Sequence, residues 1–136
     1  MNVAELAAEK GITRLCHYTP LSNLLHLAAE DRGLLSLKQL AATASEHDRQ
    51  DLLRLDGHHD HISCSIEYPN AWYLRRRLFQ ATAIQRLFPD WVCLMLAPQS
   101  LWQPGTRVCV RNAAAANGSM IRDVSPTALR RSTRRP

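Results

Sequence analysis

The stretch 60–73 has the most regular pattern of hydrophobic and polar positions in the chain. Apolar Ile62, Cys64 and Ile66 alternate with polar residues, which is the period of two expected of a strand with one buried face. Asn70 then offers a side-chain oxygen to the first free N–H groups of a helix. The pattern predicts a strand running into a capped helix, whose apolar stripe comprises Ala71, Trp72, Tyr73, Leu74, Leu78 and Phe79.

Several other apolar stretches predict further elements. Their apolar residues alternate or recur at helical spacing, and Gly or Pro commonly bounds them. We predict helices over 1–11, 20–33, 37–44 and from 111 through the following alanines, and strands over 14–19, 91–96 and 108–110.

Length and composition describe a single domain. A chain of 136 residues can bury about two thirds of its extended surface. No apolar run approaches the roughly 20 residues of a membrane span, and the N-terminus lacks the order of a signal peptide, so we expect a cytoplasmic protein. The cysteines are widely spaced and mostly lie inside predicted strands, so we expect free thiols.

The positive charge of the chain comes almost entirely from arginine. The formal net charge is +5, and Lys10 and Lys38 are the only lysines. Arginine binds phosphate through two hydrogen bonds and stacks on bases, so the bias is compatible with a nucleic acid or dinucleotide, although arginine-rich surfaces also occur without one. The segment 123–136 has few apolar residues and several arginines, which predicts a basic, disordered tail.

The sequence His58-His59-Asp60-His61, with Cys64 close by, suggests a metal site. Alternate ligands such as His59 and His61 on one strand face can share a zinc ion. A structural zinc site usually needs a second ligand pair, and no matching pair follows. We therefore expect no metal, and a small zinc protein is the weaker alternative.

The first predicted strand carries two polar groups on one face. Cys16 and His17 are adjacent, so their side chains point to opposite faces and cannot form a catalytic dyad with each other. His17 and Thr19 share a face, where an imidazole and a hydroxyl suit a ribose or an amide; a purely structural histidine is the alternative.

These residues belong to an ordered series of motifs, which are 17–24 (HYTPLSNL), 33–36 (GLLS), 60–73 and 88–91 (FPDW). Together the motifs resemble the DarT family of DNA ADP-ribosyltransferase toxins, over most of 13–122. The resemblance implies an α+β, ADP-ribosyltransferase-like fold with small sheets and flanking helices, over a domain 1–122. It also implies NAD as substrate, a base in single-stranded DNA as target, thymidine or guanosine by branch, and a macrodomain antitoxin as partner.

The resemblance also assigns residues by position. His17 matches the histidine that holds the nicotinamide-side ribose, with Thr19 and Asn23 near the same ligand. Arg54 matches the arginine that faces the pyrophosphate or assists the reaction, and Arg49 is the alternative. Ser65 and Tyr73 match the wall of the nicotinamide pocket, where ordinary packing is the competing interpretation.

The chain departs from the family late in the sequence. The family supplies its catalytic carboxylate from a segment resembling QAEVL, which this chain lacks; beyond Glu67 only Asp90 and Asp123 are acidic. We expect a truncated or frame-shifted member, C-terminally incomplete and impaired in activity. The alternative is a non-catalytic remnant that binds NAD or nucleic acid. A carboxylate in the NAD cleft would separate the two, and Glu67 is one candidate.

Overall fold

The computed structural model describes residues 1–29, 33–42, 57–80, 90–113 and 115–133. In them, short helices accompany small antiparallel sheets, which confirms the predicted α+β class. The ADP-ribosyltransferase-like arrangement within that class stays a prediction. The helices are α1 (Val3–Glu9), α2 (Leu24–Ala29), α3 (Leu37–Ala42), α4 (Ala71–Gln80) and α5 (Pro126–Ser132), with 3₁₀ helices at Leu21–Asn23, Pro98–Trp102 and Ala115–Gly118.

The strands form two separate sheets. The first has the order β2-β1-β3, and both of its pairings are antiparallel. The second consists of β4 and β5, also antiparallel. The strands are β1 (Leu15–Pro20), β2 (Ser65–Ile66), β3 (Trp91–Leu96), β4 (Arg107–Cys109) and β5 (Ile121–Asp123).

The predicted strands differ from the observed ones most at β2 and β5, and β5 has no predicted counterpart. The strands β1 and β4 are each displaced by one residue from the predicted ranges 14–19 and 108–110. The strand predicted from Ile62 contains only Ser65 and Ile66, and Cys64 is exposed. Beyond the last pair, Cys16 with Ser65, the contact from β1 to this segment is a side-chain one: Nδ1 of His17 lies 2.8 Å from the Ser63 carbonyl oxygen. By contrast, β3 has the predicted bounds. The helix predicted from 111 is only the short 3₁₀ helix in the described residues.

Capping residues set the starts of the helices. Asn2 and Glu5 form a reciprocal capping box at α1. The Tyr73 N–H donates to the Asn70 side-chain oxygen over 3.0 Å, which confirms the predicted cap of α4. In the described ranges, no helix has both the length and the apolar composition needed to cross a membrane.

The core lies between the two chain ends. Leu6 of α1 and Leu129 of α5 are fully buried, and they pack in one cluster with Ile12, Leu15, Leu101 and Val108. The cluster therefore joins both terminal helices to the start of β1 and to β4.

The segment 123–133 contains helix α5, where the sequence predicts a basic, disordered tail. Ser125 caps α5 by accepting a hydrogen bond of 3.1 Å from the Ala128 N–H. Leu129 is 0% exposed, and Arg130 pairs with Glu9 of α1 at 3.3 Å. One leucine and one cap are enough to form this helix because α1 supplies the apolar surface on which it packs, and the local composition does not reveal that surface.

Candidate functional site

The central strand β1 positions the first predicted cofactor-binding residues. Cys16 is buried, and burial raises the pKa of its thiol. Its neighbour His17 is only half-buried. Because successive residues of a strand face opposite ways, His17 and Thr19 share the other face of β1. A neutral, buried thiol on the first face does not act as a nucleophile for them.

The ring of His17 has a defined orientation. Its Nδ1 lies 2.8 Å from the backbone carbonyl oxygen of Ser63. A carbonyl only accepts, so Nδ1 carries the proton, and in the neutral ring Nε2 is then the acceptor. This tautomer suits an imidazole that receives a hydrogen bond from a ribose hydroxyl.

Thr19 and Asn23 lie together where β1 ends. Thr19 is buried, and the Asn23 side-chain Nδ2 donates to its hydroxyl over 3.3 Å. Asn23 closes the 3₁₀ helix that follows the strand directly. The structure thus brings together Thr19 and Asn23, two residues predicted to approach the same ligand.

The remaining predicted site residues differ in their placement. Ser65 of β2 pairs with Cys16 of β1, next to His17. Tyr73 lies in α4, where its hydroxyl accepts from Arg77 Nε over 3.2 Å. Arg54, predicted to act in catalysis, and its alternative Arg49 lie outside the described residues.

The carboxylate of Glu67 is directed away from His17. It accepts hydrogen bonds from the Thr13 N–H at 2.7 Å and the Thr13 hydroxyl at 2.8 Å, and Arg14 Nε lies 3.7 Å away. The bonds from Thr13 are the main cause of its lowered pKa. Glu67 also has a positive φ of 65°, a left-handed conformation that is uncommon outside glycine. Glu67 therefore ties the end of β2 to the segment before β1.

Of the two later acidic residues, Asp90 lies nearer to Thr19. The Leu21 N–H donates to the Asp90 carbonyl over 2.9 Å, where Pro20 of β1 pairs with Trp91 of β3. Asp90 is exposed. Asp123 belongs to the second sheet, where Arg107 lies 3.5 Å from its carboxylate. Asp90 is thus the late acidic residue whose backbone, among the described residues, lies at the same sheet end as Thr19.

Helix α4 has one face that is both aromatic and basic. Its aromatic residues belong to the apolar stripe that the sequence predicts for this helix. Trp72, Arg75, Arg76 and Phe79 follow the spacing i, i+3, i+4, i+7, which places them on one face. Trp72 is 59% exposed and Phe79 72%. The guanidinium of Arg76 lies 5.5 Å from the Trp72 ring centroid, and that of Arg75 lies 5.7 Å from that of Phe79. We call these four residues the α4 face; the alternation of arginine with aromatic residues was the signal for it.

A second cluster lies in the turn before β2. His58, Asp60 and His61 each offer a ligand atom, and these atoms all lie within 4.8 Å of one another. The zinc alternative from the sequence named His59 and Cys64, which are not in this set. Desolvation raises the pKa of the Cys64 thiol to about 11, although part of the residue is exposed, so this thiol is protonated near neutral pH.

An open cavity of about 460 Å³ lies elsewhere, lined by Val3, Trp102, the loop 103–106, Asp123 and Val124. It contains none of the predicted NAD-binding residues. This cavity therefore does not coincide with the predicted NAD site.

No protein-family model matches the chain, and no curated protein matches it. The DarT resemblance, and the antitoxin that it implies, therefore stay predictions from the sequence motifs.

Proposed function

We propose that the chain binds NAD at the end of β1 and transfers its ADP-ribose to a base in single-stranded DNA. The observation that carries the proposal is the grouping of His17, Thr19 and Asn23 along one strand and the turn that follows it. Ser65 lies on the adjacent strand. The DarT resemblance predicts a common ligand for these four residues.

The reaction requires a rigidly held dinucleotide and a nearby negative charge. Cleavage of the nicotinamide glycosidic bond passes through an oxocarbenium-like transition state, which a carboxylate near the ribose stabilises. In the proposal His17 accepts from a ribose hydroxyl through Nε2, while the Ser63 carbonyl holds its ring in place. Thr19 and Asn23 orient the ligand at the strand end.

The carboxylate is the open element of this mechanism. Glu67 is held by Thr13 and Arg14, and Asp123 lies on the second sheet. We therefore assign the role to Asp90, which follows the FPDW motif and adjoins Leu21 at the end of β1.

The α4 face supports single-stranded DNA as the second substrate. Bases stack on aromatic side chains, and arginine binds phosphate and stacks on bases. Trp72 and Phe79 supply the rings, and Arg75 and Arg76 the positive charge. Unpaired bases fit this surface better than a duplex, whose bases are already stacked.

A second candidate function is a non-catalytic protein that binds NAD and single-stranded DNA. The hydrogen bonds from Thr13 to Glu67 favour it, because they occupy a carboxylate that was one candidate for a relocated catalytic acid. The binding residues are the same in both candidates, so only the chemical step separates them.

The test is incubation of the purified chain with NAD and mixed single-stranded oligonucleotides, followed by mass spectrometry for an added ADP-ribose. Calorimetry measures NAD binding separately. We expect an adduct that Asp90→Asn abolishes and the matched Asp123→Asn retains. His17→Ala should weaken NAD binding by about 1–3 kcal/mol, the value of a lost hydrogen bond to a polar ligand.

The outcomes separate the two candidates. NAD binding without an adduct supports the non-catalytic function. An adduct that survives Asp90→Asn removes Asp90 from the mechanism but leaves the transferase. If no NAD binds, or if His17→Ala leaves its affinity unchanged, the proposed site is wrong.

A further inference from the structure

We infer that His58, Asp60 and His61 form a binding site for a divalent transition metal ion, most suitably zinc. Their ligand atoms lie within 4.8 Å of one another in a single tight turn. The backbone N–H of His61 donates to the backbone carbonyl of His58 over 3.2 Å. The two imidazole rings meet edge to face, with their centroids 5.3 Å apart. This site shares no residue with the proposed NAD site.

Both ring nitrogens of His61 lie beside oxygen atoms. Nδ1 lies 2.7 Å from Asp60 Oδ1, and Nε2 lies 3.0 Å from the Gly105 carbonyl oxygen. Both partners accept, whereas a neutral imidazole has a single N–H. If Nε2 keeps that proton for Gly105, the lone pair of Nδ1 faces a carboxylate oxygen. In that tautomer the lone pair of Nδ1 and the Asp60 carboxylate oxygen face one another, so a metal ion that enters between them meets two ligand atoms.

The geometry suits a metal. Ligands bonded tetrahedrally to zinc at about 2.0–2.1 Å lie about 3.3 Å apart. The His61 and Asp60 atoms need to separate only slightly from 2.7 Å to reach that spacing. The bond from His61 to Gly105 is also the outer contact that metal-binding histidines usually make, since their second N–H donates to a carbonyl or carboxylate.

The turn is held from both sides. The Lys38 N–H at the start of α3 donates to the His59 carbonyl over 3.0 Å, and His61 reaches Gly105 in the loop before β4. The ligands are therefore positioned before a metal arrives. Three protein ligands leave the fourth tetrahedral position for water, an arrangement more typical of reactive than of structural zinc sites.

Arg107 competes with the metal in this site. Its Nη1 lies 3.3 Å from His58 Nε2, while its Nε lies 3.5 Å from Asp123. The guanidinium donates, so it takes the lone pair of a neutral His58 ring. A metal bound through either nitrogen of His58 has to release this contact, and Arg107 can then remain with Asp123. The affinity of the site should therefore rise when Arg107 is removed.

The experiment uses the full chain, freed of metal by chelation and titrated with zinc against a coloured competing chelator. Cobalt serves as a spectroscopic substitute, because its visible bands report tetrahedral coordination and its ultraviolet bands report thiolate ligands. We expect one ion per chain, tetrahedral bands and no thiolate bands. Asp60→Asn and His61→Gln should each weaken binding about tenfold or more.

Matched variants make the result specific. His59→Gln changes a neighbouring histidine outside the set and should leave the affinity unchanged, whereas Arg107→Ala should raise it. Circular dichroism checks that each variant is folded, and the exposed Asp60 keeps the test valid if His61→Gln does not fold. Absence of stoichiometric zinc would overturn the inference. Equal losses for His59→Gln and His61→Gln, or thiolate bands, would also overturn it.

Discussion

Helices α4 and α5 have similar residues and opposite surroundings. Both carry leucine and consecutive arginines, yet Leu129 of α5 is 0% exposed while Leu78 of α4 is 44% exposed. Helix α5 packs against α1 in the core, and Arg130 adds an ion pair with Glu9. The aromatic rings of the α4 face lie instead beneath arginines of their own helix. The same residue types thus stabilise the fold in one helix and form a surface in the other.

The exposure of the α4 face is the reason for proposing it as a DNA-binding surface. Burial of apolar surface stabilises a protein by about 25 cal/mol for each Å², and surface left in water lacks this stabilisation. Contiguous exposed apolar surface commonly marks an interaction site. Arginines over the aromatic rings cover them only from one side, so a base can still stack on the remaining surface.

The largest expected effect is a loss of stability when the core side chain of α5 is truncated. Leu129→Ala should lower the free energy of unfolding by about 2–5 kcal/mol, because it leaves a cavity in a fully buried position. The matched Leu78→Ala, at an exposed helical position, should change it by about 0.5 kcal/mol or less. Denaturant unfolding measures both. Equal losses would mean that α4 is packed as tightly as α5.

The next largest expected effect is a loss of DNA affinity at the α4 face. Trp72→Ala should weaken binding of a single-stranded oligonucleotide by about 1–3 kcal/mol through loss of base stacking. Fluorescence anisotropy measures this affinity, and Leu78→Ala, outside the α4 face, is the control. Unchanged affinity for Trp72→Ala, or an equal loss in the control, would remove the α4 face from DNA binding.

The smallest effect concerns the connection between the two regions. Glu67, just before α4, is bonded to Thr13 near the core, and its pKa is lowered in the folded chain. Its contribution to stability is therefore complete above the ordinary glutamate pKa of 4.5 and is lost as the pH falls below that value. Glu67→Gln should flatten the loss of stability between neutral pH and acid. If the free energy of unfolding falls in parallel with pH for the unmodified protein and the variant, Glu67 does not have this role.

Local patterns in the sequence anticipated local structure accurately. The cap at Asn70 and the bounds of Trp91–Leu96 follow from residues within one turn or one strand. The face shared by His17 and Thr19 follows from the alternation of any strand. The pattern could not foresee that β2 would be only two residues long, or that the ring of His17 would contact the Ser63 carbonyl oxygen. That contact joins residues distant in sequence.

Amino-acid order was thus sufficient for the cap of α4, the bounds of β3 and the α+β class, because neighbouring residues set the backbone preferences behind them. Burial and the joining of distant side chains required the folded chain. Leu129 is in the core because α1 covers it, and the described rings of Trp72 and Phe79 are exposed although their spacing resembles a core stripe. His61 meets Gly105 for the same reason. A residue's environment depends on which distant segment packs against it, and no local pattern contains that information.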